Sequence, residues 1–84
     1  MNYRLDRINS EMQKSIADII ANRVRNPHLT AMVSVLKVDV AKDLKTAKVY
    51  VSIYGDEQSG AETFDALKSC AGYIRHELSV DFRD

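Results

Sequence analysis

At 84 residues the chain has room for one small domain, residues 1–84, with a thin core, since a chain this size buries only roughly 60% of its unfolded surface. Apolar residues at 45% and charged residues at 29% are the balance of an ordinary globular protein, and no apolar run approaches the roughly 20 residues of a membrane span. Twelve basic and 12 acidic side chains give a net charge of zero, and a single cysteine, Cys70, excludes an internal disulfide and makes a reducing cytoplasm the expected compartment.

The opening Met-Asn-Tyr-Arg-Leu-Asp-Arg is charged and alternates too quickly for a signal peptide. Leu5, Ile8, Met12, Ile16, Ile19, Ile20 and Val24 then recur at spacings of three and four, which predicts one helix of about six turns with a single apolar stripe. Asn26-Pro27 ends it near Arg25, because the residue before proline avoids helical geometry. Val33 to Val40 is rich in β-branched residues and reads as a strand. Ala41-Lys-Asp-Leu-Lys45 carries turn residues, and a second strand follows from Thr46 to Tyr54. In that strand Ala47, Val49, Val51 and Ile53 alternate with Lys48, Tyr50, Ser52 and Tyr54, the pattern of an antiparallel hairpin with one packed and one wet face. Gly55 to Gly60 reads as a polar loop, with Ser59 and Glu62 as a capping box opening a second helix. Phe64, Leu67, Ala71, Ile74 and Leu78 give that helix its buried stripe. Within it, Gly72 costs on the order of 1 kcal/mol relative to alanine. It marks either a bend splitting the helix or a place where the helix packs too closely for a side chain.

Catalytic chemistry is sparse. Cys70 and His76 lie six residues apart and point to different sides of a helix, so they form no thiolate–imidazolium pair, and Cys70 reads as a packed thiol. His28 follows Pro27 in a turn and reads as solvated. Two histidines and one cysteine make no zinc site, no glycine-rich phosphate loop is present, and Asp56-Glu57 reads as solvated loop. No enzyme, metal, cofactor or small-molecule substrate is expected.

Charge is uneven along the chain. Residues 1–54 carry nine basic and five acidic side chains, and residues 55–84 carry three and seven. The basic half either offers phosphate a surface or simply complements the acidic half across the fold. Its cations fall on the first helix (Arg4, Arg7, Lys14, Arg23, Arg25) and on the hairpin (Lys37, Lys42, Lys45, Lys48). Tyr50 and Tyr54 on the wet face are either stacking rings for unpaired bases or ordinary amphipathic strand residues.

Four segments carry a resemblance to a known family. They are Arg4 to Ile20, Asn26-Pro27-His28-Leu29, Lys42 to Ser52, and Ala71-Gly-Tyr-Ile-Arg75. In order and spacing they resemble the bacterial ribosome-binding factor A family, over nearly the whole chain. That family is similar to type II KH domains, so the resemblance implies an α+β fold of helix, strand, strand and kinked helix. It also implies that a helix kink at Cys70, Ala71 and Gly72 stands in place of the G-x-x-G loop of ordinary KH domains, with Cys70 where the family usually has alanine. Family members continue into a third strand, whereas here the sequence stops at Asp84; the expectation is an open sheet edge, marginal stability or self-association.

The resemblance implies a non-catalytic assembly factor that binds the immature small (30S) ribosomal subunit and its 16S ribosomal RNA, supports maturation of the RNA near its 5′ end, and matters most in the cold. A ribosome-assembly GTPase assists release in some bacteria. Phosphate contacts are expected from Arg4, Arg7, Lys14, Arg25, Lys42, Lys45 and Lys48, with Arg75 beside the bend. The competing reading is a protein-interaction domain whose open sheet edge accepts a strand. A catalytic reading through Cys70 would need a turnover that Cys70→Ser abolishes.

Overall fold

The computed structural model describes residues 3–43 and 45–82. Met1-Asn2, Leu44 and Arg83-Asp84 lie outside the described residues. In chain order come α1 (Tyr3–Asp18), a π-helical turn (Ile19–Arg23), β1 (Met32–Val40), β2 (Ala47–Tyr54), α2 (Glu57–Ser69) and α3 (Ala71–Asp81). This is the α+β order of the KH-like expectation, with a two-stranded antiparallel sheet among the described residues.

The apolar stripe of α1 folds as expected and lies on the sheet. Ile16, Val38 and Val40 form a buried cluster, with Leu5, Ile8, Met12, Ile20, Val35, Ile74 and Leu78 packed around it. The long first helix changes form in its last turn. Val24 donates to the carbonyl of Ile19 five residues back, at 2.9 Å, so the turn is one residue wider than α. Ile19 inside it is fully buried. Arg23 closes it facing α3, donating to Glu77 at 3.4 Å and to Asp81 at 3.1 Å.

β1 holds a device that alternation alone conceals. Val33 and Val35 pair with Ile53 and Val51, whereas Val38 and Val40 pair with Val49 and Ala47. Strict alternation would send the first two valines and the last two to opposite faces. A bulge between Val35 and Lys37 absorbs Leu36 as an extra residue and returns all four to the core side. The outer edge of β1 is held by α1: the Asn9 side-chain oxygen accepts from the Val40 amide at 2.9 Å, and the Gln13 side-chain amide donates to the Val35 and Leu36 carbonyls. Among the described residues nothing pairs with the other edge of β2.

Three expectations need correction. The cap of α2 is Asp56, whose carboxylate accepts from the Ser59 amide at 2.7 Å, so the residues read as a loop already form the first helical turn. Glu62 takes no part in that cap and instead lies 2.9 Å from His28 Nδ1, so His28 is tethered to α2 rather than merely solvated. The packed face of β2 and the stripe of α2 are only partly covered: Val49 is 41% exposed and Phe64 49% exposed, and Ala47 and Ala71 are exposed. Thr63 and Ala66 are the buried side chains of α2, and Thr63 is held by accepting a hydrogen bond from the Ala31 amide at 3.0 Å.

Candidate nucleic-acid interface

The bend between the last two helices is centred on Cys70. Its amide donates to the carbonyls of Ala66 and Leu67, ending α2, and its own carbonyl accepts from Ile74, starting α3. With φ −92° and ψ 2° it sits in the bridge region, one residue off the helical path. A bend was one of the two readings of Gly72, and it is present, with its pivot at Cys70, the first of the three kink residues the resemblance implied. The other reading, close packing, fails: a Cβ built on Gly72 meets nothing within 4 Å, and the residue is exposed. Glycine is therefore not required there by anything in the fold.

Asn26 ties this bend to the end of the first helix. Its side-chain oxygen accepts from the His28 amide at 2.9 Å, its carbonyl accepts from Leu29 at 3.0 Å, and its side-chain nitrogen reaches Cys70 Sγ at 3.5 Å. Pro27 supplies the fixed φ such a turn needs at its second position. The asparagine-before-proline signal was visible in the sequence as a helix stop; its grip on Cys70, 44 residues away, was not. The thiol is half-buried.

The expected phosphate-contacting cations are all exposed, and they are spread over four places rather than the two, first helix and hairpin, expected from the sequence. Arg4, Arg7 and Lys14 share the solvent face of α1, with Arg7 pairing with Glu11 at 3.3 Å. Lys42 sits in the hairpin turn, and Lys45 and Arg75 approach the same groove from the turn and from α3. Lys48 lies on the wet face of the sheet, in register with Asp39. Arg25 follows the π-helical turn. Arg4, Lys14, Arg25, Lys42, Lys45, Lys48 and Arg75 form no ion pair among the described residues.

Arg23 behaves differently. Hydrogen bonding to Asp81, together with Asp18, holds its guanidinium firmly protonated, and the Asn22 amide and Arg23 in turn hold the Asp18 carboxyl below its ordinary range. Here the basic half of the chain does complement the acidic half, so Arg23 is not free for a partner. Asp56 is also held below the ordinary aspartate range, chiefly by the Ser59 amide at the start of α2.

The groove between β2 and the helices has a volume of about 690 Å³ and is mainly apolar, lined by Val49, Val51, Phe64, Leu67 and Ile74, with Lys45 and Arg75 at its polar parts. Among the described residues no group of three or more His, Cys, Asp or Glu gathers as a metal site, and no helix is long and apolar enough to cross a membrane.

Comparison with known proteins agrees with the four segments. A family model described as ribosome-binding factor A matches residues 4–83. The chain is 51% identical over 78 residues to a ribosome-binding factor A of Caldanaerobacter subterraneus subsp. tengcongensis, covering 93% of this chain and 64% of the relative. It is 56% identical over 77 residues to that of Clostridium kluyveri, covering 92% and 64%. It is 57% identical over 76 residues to that of Clostridium tetani, covering 90% and 63%. The chain thus spans just under two thirds of the length of these curated relatives.

Proposed function

This chain belongs to the ribosome-binding factor A family, and from that membership we propose that it is a non-catalytic assembly factor that binds the immature small (30S) ribosomal subunit. On this reading it supports 5′-end maturation of 16S ribosomal RNA in the cytoplasm, chiefly in the cold, and a ribosome-assembly GTPase assists its release. The family match over residues 4–83 carries the reading. Support comes from the exposed cations that have no acidic partner among the described residues.

Each such cation that meets a phosphate releases condensed counterions, so affinity falls steeply with salt. Helical RNA offers its phosphates and shape rather than its base edges, so docking selects an arrangement of RNA helices rather than a sequence. A factor with cations on several separate parts of its surface contacts more than one RNA segment and holds them relative to one another until maturation is complete. The bend at Cys70, with the open space beside Gly72, offers one of those segments a close approach next to Arg75.

Reversing Arg7 and Lys14 to glutamate tests the part played by α1. Pelleting with small subunits should fall sharply, and unchanged pelleting would remove α1 from the contact face. A second reading rests on the edge of β2 that pairs with nothing among the described residues and on the apolar groove beside it, where an extended segment of another protein could add a strand. Strand addition is nearly indifferent to salt, whereas six to ten phosphate contacts lose roughly a thousandfold or more in affinity between about 50 and 200 mM.

A further inference from the structure

The side of the sheet away from the helices carries an unusual surface for a small domain. Tyr50 is 46% exposed and Tyr54 is 54% exposed, and both lie on that face with Lys48 and Ser52. From β1, Lys37 stands opposite Tyr50, Ser34 opposite Ser52, and Met32 opposite Tyr54. Neither tyrosine hydroxyl has a hydrogen-bond partner among the described residues. Both rings are therefore partly open to solvent, the Tyr50 ring with the Lys37 ammonium over one face.

The charge on this face fits one class of occupant. Lys37 Nζ lies 5.7 Å from the centroid of the Tyr50 ring, which puts an ammonium within reach of the phosphate of any nucleotide stacked there. Lys48 adds a second cation, against a single acid, Asp39. Tyr50 and Tyr54 are four residues apart on one strand, roughly 13 Å by strand geometry. That is several times the roughly 3.4 Å rise between stacked neighbours in a helix, so paired, stacked RNA cannot engage both rings with adjacent bases. Between them the small Ser34–Ser52 pair leaves the surface low.

We propose that the open sheet face is a platform for single-stranded RNA, on which Tyr50 and Tyr54 stack two splayed bases while Lys37 beside Tyr50 and Lys48 beyond it hold the backbone at the Tyr50 end. This deepens the assembly-factor reading and rests on it: the strand would be an unpaired segment of immature ribosomal RNA. It adds a mode of contact distinct from the phosphate contacts of α1 and the bend.

The test compares labelled oligouridine with a duplex RNA of equal phosphate number, by fluorescence anisotropy at fixed salt. The chain should prefer oligouridine. Tyr50→Leu and Tyr54→Leu should each weaken that binding by about tenfold while leaving duplex binding unchanged. Tyr50→Phe and Tyr54→Phe keep the ring and should bind as the parent does, which separates stacking from any loss of folding. Equal affinity for the two RNAs, or leucine variants that bind oligouridine as the parent does, would overturn the platform. Pelleting with small subunits tests the underlying reading separately. If pelleting fails while ring-dependent oligouridine binding holds, the platform stands and the ribosomal assignment falls; intact pelleting without a single-strand preference overturns the platform alone.

Discussion

The side-chain amide of Gln13 donates to the carbonyl of Leu36, the extra residue of the β1 bulge, at 3.2 Å, and to the carbonyl of Val35 beside it at 3.1 Å. A bulge disrupts the ladder locally, and here one glutamine from α1 gives two carbonyls at the bulge a hydrogen bond. The same bulge keeps Val33 and Val35 on the side of the sheet occupied by Val38 and Val40. Gln13→Ala should therefore destabilise the domain by about 1–2 kcal/mol, read from the midpoint of urea unfolding. A variant within a few tenths of a kcal/mol of the parent would mean that water replaces the amide without loss.

Gly72 should respond in the opposite direction. It lies in α3, and a Cβ there meets nothing within 4 Å. Gly72→Ala should raise stability by roughly 0.5–1 kcal/mol in the same urea assay. If the same variant loses affinity for small subunits, the missing side chain serves close approach by the partner rather than the fold. A destabilised variant would contradict the open space beside this residue.

Asp56 gives a pH dependence whose sign is set by its cap. Because the Ser59 amide holds its carboxyl below the ordinary aspartate value, its contribution is fully present above that ordinary value. It is lost as pH falls through the depressed value, when the protonated carboxyl gives up the charged contact. Melting temperature of the parent should fall through this acid range, and the part due to Asp56 should be absent in Asp56→Asn, since asparagine caps without titrating. Identical pH profiles for parent and variant would remove the cap as a source of acid sensitivity.

Much of the fold was legible because the side-chain period of an element survives any tertiary context. The stripe from Leu5 to Ile20 and the alternation from Ala47 to Ile53 each pointed to one element with one packed face. The bulge was not legible, since Val33, Val35, Val38 and Val40 are compatible with a strand in either phase and only pairing with β2 decides. Asp56 and Ser59 are both good caps three residues apart, so the start of α2 depended on where the chain leaves β2. The bend was legible from Gly72 and, through the resemblance, at Cys70 itself, but the contact between Asn26 and Cys70 was not, since no local pattern brings the two near. The cations were legible as residues and not as a surface. Arg23 was counted with its neighbours on the first helix, yet the wide π-helical turn aims it at Glu77 and Asp81. That Lys37 stands opposite Tyr50 was not legible either, because it depends on the bulge at Leu36.

Co-pelleting of this chain with purified small ribosomal subunits, with large subunits as the control, tests the central claim most directly. The account predicts pelleting with the small subunit alone, lost steeply between about 50 and 200 mM salt. Equal pelleting with both subunits, or binding to the small subunit that salt leaves unchanged, would contradict it.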